Sequence, residues 1–182
     1  GVATVGGATP TSGAFGVNSV VAVGSGATLD VNGFTAGIGS LNDVGGTGGT
    51  VANGSAAAAT LTIGTGNLSG TFSGVLQNGA GVLALTKEGS GTQTLAGANT
   101  HTGTVLINAG TLQIGNGGTT GSLGSVTVTN SATLAFNRSD TLTVVNAIGG
   151  SGLVRQEGAG ITAFTGTNTY TGTTLINAGT LQ

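Results

Sequence analysis

GANTHTGTVLINAGTLQ (residues 97–113) returns as GTNTYTGTTLINAGTLQ (residues 166–182), at an offset of 69 residues. Extending the comparison back to residues 81–113 and 150–182 leaves 18 of 33 positions identical. Asn99, Gly103, Asn108 and Gly110 recur as Asn168, Gly172, Asn177 and Gly179, so turn and strand residues repeat together. A weaker echo pairs VVAVGSGATL (20–29) with SVTVTNSATL (125–134). A unit that stacks on copies of itself lines up similar residues in ladders, which gives the repetition a physical cause. A sandwich has no such reason to repeat.

Outward from this stretch, runs of Val, Ile, Leu and Thr bounded by Gly, Asn or Ser begin roughly every ten residues, as in Thr60–Ile63, Thr104–Ile107 and Val126–Val128. They read as short strands, because β-branched side chains suit a pleated surface. Helix is nearly excluded. Gly costs about 1 kcal/mol per position relative to Ala, and the one helix-like run, Ala56–Ala59, is too short. The reading is all-β, a right-handed parallel β-helix (β-solenoid) over residues 1–182, a segment of a longer repeat array. The 69-residue offset then corresponds to about three coils of about 23 residues. At about 4.8 Å per coil, roughly eight coils make a rod somewhat under 40 Å long. Side chains alternate, so Val105 and Ile107 share one side and Thr104 and Leu106 the other. Gly and Asn at the corners supply positive-φ conformations.

Composition agrees. The chain has 182 residues, 39 of them Gly, with 37% hydrophobic and 4% charged residues and a net charge of -2, which is not the low-hydrophobicity, high-charge profile of a disordered chain. Cys is absent, which removes disulfides and thiolate metal sites. No signal peptide or long apolar span occurs, so the reading places any export signal or anchor outside this stretch. Three basic residues, Lys87, Arg138 and Arg155, cannot track a phosphate backbone, and no nucleic-acid partner is expected.

The segment GANTHTGTVLINAGTLQIG, preceded by LTKEGSGTQTLA (85–96), resembles the passenger-associated β-strand repeat of bacterial autotransporters, of the form KxGxGTLTLSGxNTYTGGTxVNxGTL. EGAGITAFTGTNTYTGTTLINAGTLQ (157–182) resembles it equally, and GATLDVNGF (26–34), GTFSGVLQNG (70–79) and GTTGSLG (118–124) look like the sequence that surrounds such repeats. His101, Arg155 and Ile161 depart from the pattern, as surface or packing variation. The resemblance implies export, passage through a C-terminal outer-membrane barrel, and folding outside the cell as a parallel β-helix. It also implies a stalk or folding role, with adhesive or enzymatic modules elsewhere.

Candidate chemistry is sparse. His101, the one His, aligns with Tyr170 and reads as an edge-facing aromatic, since general-base work needs a positioned partner. Glu88 and Glu157 occupy matching repeat positions, but three coils apart they would lie about 14 Å from each other. Paired glycosidase carboxylates sit about 5–9.5 Å apart. Asp30, Asp43 and Asp140 are scattered turn residues. GGTGGTVANG (45–54) lacks the GK[ST] ending of a phosphate loop and the Asp of a calcium nonapeptide, and reads as a flexible turn. Asn99, Asn168, Asn108 and Asn177 are assigned to backbone bonding at corners. The pairs Thr60/Thr62, Thr102/Thr104, Thr127/Thr129, Thr141/Thr143 and Thr171/Thr173 suggest an ice-binding face, against which their irregular spacing argues.

The sequence therefore predicts no catalytic, cofactor-binding or metal site, no cofactor, and no enzymatic activity. It predicts a structural stalk or scaffold of a secreted bacterial surface protein, extracellular and either outer-membrane-anchored or released, supporting adhesion, aggregation or filaments. Expected partners are other copies, through solenoid ends or sides, and host or neighbouring-cell surfaces, with no membrane insertion of this segment. The alternatives are a carbohydrate-binding or carbohydrate-cleaving β-helix and an ice-binding solenoid.

Overall fold

The structure is a computed structural model that describes residues 2–4, 15–16 and 18–182. Short β-branched and aliphatic runs interrupted by glycine give strands of two to five residues and no helix among the described residues. In chain order they are β1 (Val2–Thr4), β2 (Val20–Val23), β3 (Thr28–Asp30), β4 (Ala36–Ile38), β5 (Ser40–Asp43), β6 (Thr50–Ala52) and β7 (Ala59–Ile63). Then come β8 (Gly70–Phe72), β9 (Val75–Leu76), β10 (Leu83–Lys87), β11 (Thr92–Leu95), β12 (Val105–Ile107), β13 (Thr111–Ile114) and β14 (Val128–Asn130). The last are β15 (Thr133–Phe136), β16 (Thr141–Val144), β17 (Ile148–Gly149), β18 (Leu153–Gln156), β19 (Ile161–Phe164), β20 (Thr174–Ile176) and β21 (Thr180–Leu181).

Every pairing between these strands is parallel, and the chain visits three faces in a fixed order. The first face stacks β4-β7-β10-β12-β14-β17 and the second β8-β11-β13-β15-β18-β20. The third begins as β1-β3-β6-β9 and ends as β16-β19-β21. Between those two parts its place is taken by irregular backbone, where Thr100 N donates to Leu76 O at 2.9 Å and Ser122 N to Gly97 O at 3.1 Å. The pair β2-β5 lies at the head of the second face. The result is a parallel β-solenoid of about eight turns.

Coil length is not constant. The register steps 26 residues from Val2 to Thr28, 24 from Ala59 to Leu83, and 19 from Thr92 to Thr111. This corrects the expectation that the repeat spans three coils. On the second face Leu112 pairs Leu134, Leu134 pairs Val154, and Val154 pairs Thr174. Three coils thus consume 62 residues, and the remaining 7 of the 69 carry the second copy one face further round. Val105–Ile107 lies on the first face whereas its copy, Thr174–Ile176, lies on the second. The copies do not stack in register. A three-sided coil offers three similar edges, so a strand-corner-strand unit fits on any of them.

Alternation decides what is inside. In β10 Leu83, Leu85 and Lys87 point inward, and in β12 Val105 and Ile107 do, with Leu106 half-buried outside. One interior ladder runs Leu61, Leu85, Val105, Val128, Ile148, and another Phe72, Leu95, Ile114, Phe136. All nine are buried and belong to one hydrophobic core. Full burial of such side chains stabilises by about 1.5–3 kcal/mol each. Phe136 meets Phe164 edge to face at 5.5 Å between ring centroids.

Candidate functional surfaces and the repeat corners

The most chemically distinctive points are the corners that close each repeat copy. At the end of β10 the Lys87 side chain turns into the rod and is completely buried. Its ammonium donates to the carbonyl of Glu88, to Gly89 O at 3.0 Å and to Ala109 O at 3.3 Å. Burial pushes its pKa down, partly offset by the charge of Glu88. In the second copy Gln156 does this work. Its Nε2 donates to Gly158 O at 2.8 Å and Gly160 O at 3.3 Å, while its Oε1 accepts from the Thr162 hydroxyl at 2.7 Å. Corner carbonyls left without donors in the interior would each cost about 1–3 kcal/mol, so both copies bury a donor there.

Outside each corner stands a carboxylate. Asn108 Nδ2 donates to Glu88 Oε1 at 2.6 Å, and Asn177 Nδ2 to Glu157 Oε2 at 3.0 Å. Asn108 and Asn177 therefore bind side chains rather than the backbone expected from sequence. Asn99 and Asn168 do bind backbone: Asn99 accepts from Leu76 N at 2.8 Å and donates to Ser122 O at 2.7 Å, and Asn168 accepts from Ile148 N at 3.1 Å. Glu88 follows a first-face strand and Glu157 a second-face strand, so the two carboxylates occupy different corners. Each carboxylate is thus held by an asparagine of the coil stacked on it. Glu157 is also paired with Arg155.

The other ionisable groups are local fasteners. Asp30 Oδ1 accepts from the backbone N–H of Asn32 and Gly54 at 2.8 and 2.7 Å, and Asp43 Oδ1 from Ser73 N at 2.7 Å. Arg138 makes a bidentate pair with Asp140 at 2.8 and 2.7 Å. It also donates to Gly121 O at 2.7 Å and Thr119 O at 2.6 Å, clamping the segment between β13 and β14. The bond from Arg138 holds the Asp140 carboxyl below its ordinary pKa. Within residues 45–54, Gly49 N donates to Val23 O at 2.9 Å and Gly48 N to Ser73 Oγ at 3.0 Å. The stretch is thus tied to neighbouring coils. Among the described residues no three His, Cys, Asp or Glu side chains gather as a metal site, and no helix is long and apolar enough to cross a membrane.

His101 is the largest departure from the sequence reading. The expected edge-facing aromatic is fully enclosed, with 0% exposure, and neither ring nitrogen has a hydrogen-bond partner. Desolvation lowers its pKa to about 4. Its counterpart Tyr170 is only half-buried and shares a hydrogen bond with the Thr174 hydroxyl at 2.9 Å. The coil carrying Tyr170 has no further coil against it among the described residues, whereas His101 lies between two.

One groove opens on the outer side of the second face, of about 370 Å³, lined by Asn42, Ser69, Gly70, Thr71, Thr92 and Thr94. It sits where the ladder between β5 and β8 is interrupted. Side chains bridge the gap: buried Gln93 donates to Leu41 O at 2.8 Å and accepts from Leu41 N at 3.1 Å, and Asn42 Oδ1 accepts from Thr71 N at 3.3 Å. Gly70 makes room, since a Cβ there would lie 2.6 Å from Leu41 O. Below the groove a hydroxyl ladder runs in register through Thr92, Thr111 and Thr133, with Ser69 Oγ accepting from Thr92 N at 3.0 Å. The sequence reading missed this ladder because its steps of 23, 19 and 22 residues follow no fixed period. The Thr62 column continues to Thr86 and is then interrupted by Leu106.

The passenger-associated-transport-repeat family matches residues 85–114 and 154–182, the two corner-bearing copies. An adhesin, the BmaC autotransporter of Brucella suis biovar 1 (strain 1330), is 53% identical over 74 residues, which are 41% of this chain and 2% of that protein. The chain thus corresponds to a small part of that relative's length. No solved structure matches the chain. The chain is a β-solenoid with two stretches that match the passenger-associated-transport-repeat, and it is similar in sequence to part of an autotransporter adhesin.

Proposed function

We propose that this segment is a structural stalk of a secreted or cell-surface autotransporter passenger, holding other parts of the protein away from their anchor and performing no catalysis. The observation that carries the proposal is the division of labour in the coil. Aliphatic ladders fill the interior, and the eight charged side chains and their bonds are spent on corners and segment clamps. Such a construction adds coils additively, each resting on its neighbours. Adhesion, aggregation or filament formation would then belong to the assembled protein. Self-association is part of this reading, because the outer faces carry few charges to oppose it.

The test is to compare the purified chain with the full-length protein. The chain alone should scatter as a short rod and show no saturable binding to cells or matrix that the full-length protein binds. A compact, non-elongated particle, or saturable binding by the segment itself, would overturn the stalk reading.

The hydroxyl-lined groove favours carbohydrate binding as a second reading. Titration of neutral oligosaccharides into ¹⁵N-labelled chain would then shift the amides of Thr71 and Thr94 before any others.

A further inference from the structure

His101 sits where three successive coils meet on the irregular part of the third face. Its backbone N–H donates to Leu76 O in the coil before, at 3.1 Å, and its carbonyl accepts from Ser125 N in the coil after, at 3.2 Å. The ring is sealed against the backbone of Gly124, where a Cβ would come within 3.1 Å of Nδ1. Neither ring nitrogen completes a hydrogen bond, and the Leu76 carbonyl beside the ring favours its protonated form less than burial opposes it.

Beyond that carbonyl, no charged side chain stands ready to balance a protonated ring. Between residues 69 and 126 the charged side chains are Lys87 and Glu88 alone. Lys87 is itself cationic and held by three carbonyls, and Glu88 is engaged by Asn108 outside the corner. Arg138, the charged group that reaches this region from the next coil, donates to Gly121 O and is matched by Asp140. No carboxylate therefore offers a counter-ion.

We propose that His101 is an acid-sensitive seam: protonating its ring parts the coil of residues 97–103 from the segment 121–126 stacked on it, dividing the solenoid into two separately stable halves. A solenoid lends itself to this, because each coil is held by nearest neighbours and one weakened interface uncouples what lies on either side. The sign follows from burial. The folded chain holds His101 neutral down to about pH 4, whereas an opened chain protonates it near 6.5. The contribution is thus complete above pH 6.5 and is lost as pH falls toward 4.

As the one histidine, His101 gives an unambiguous ring signal in proton NMR. The wild-type ring should remain neutral at pH 5.5. Amide exchange in 97–103 and 121–126, corrected for its intrinsic pH dependence, should rise by about 70-fold between pH 7.5 and 4.5 relative to the amides of β7. H101F, which keeps an aromatic ring without a titrating nitrogen, should abolish that rise. A ring that titrates at its ordinary value overturns the proposal even if the variant does not fold. Exchange unaffected by acid, or an unchanged acid response in H101F, overturns it as well.

Discussion

At Lys87 the chain places an ammonium group in an interior column between Ile63 and Ile107, and three carbonyls make this tolerable. K87M keeps the aliphatic stem but strips the donors, and should cost about 2–4 kcal/mol in urea unfolding. K87Q should recover about half of that. It restores two N–H donors, as Gln156 does, yet its carbonyl would lack a hydroxyl partner because Gln93 stands where the second copy has Thr162. This arrangement was half legible in the sequence. Alternation over LALTK (83–87) puts Lys87 on the side of Leu83 and Leu85, but lysine is seldom buried, and the carbonyl partners come from residues that only folding brings near. His101 was less legible still. Its alignment with Tyr170 pointed to an edge, whereas burial depends on which coils lie against it.

Among the elements, corners rather than strands carry the tightest constraints. Gly110 has φ +65°, and a Cβ there would lie 2.4 Å from both Gly89 O and Gly91 O. Gly179 repeats this against Gly160 O and Gly158 O at 2.2 and 2.4 Å. G110A should therefore destabilise by about 3 kcal/mol or more, combining left-handed strain with a backbone clash. G117A, also at positive φ but with nothing within 4 Å, should cost only about 1 kcal/mol. Thermal melts of the two variants make the comparison. The Arg138 clamp predicts a different kind of loss: D140N should leave the melt nearly unchanged but speed proteolysis in the exposed stretch 116–120. Since Asp140 is held below its ordinary pKa when folded, the clamp is intact above about pH 4 and weakens as pH falls below that. Strand positions and corner glycines could be read from the chain because hydrophobic runs and Gly punctuation act locally. The hydroxyl ladder could not, because it depends on coil lengths that vary from turn to turn.

For the molecule as a whole, register makes a quantitative prediction. Removing residues 112–173 joins Thr111 to Thr174, which holds on the second face the register position of Leu112. Three coils disappear, so the shortened chain should fold and its rod should lose about 14 Å in small-angle scattering. A deletion one residue shorter, 112–172, should instead misplace inward and outward side chains and expand the particle. Replacing Leu134, enclosed between Leu112 and Val154, by Ala should cost about 2–5 kcal/mol in the parent chain.

The seven residues by which the repeat exceeds three coils also fix how the rod presents itself to its surroundings. Two corners alike in chemistry, Glu88 with Asn108 and Glu157 with Asn177, are set about a third of a revolution apart in azimuth as well as apart along the axis. An antibody raised against one would find its second epitope on another flank, so both arms could not engage the same rod from one direction. Neighbouring rods could instead be cross-linked on different sides.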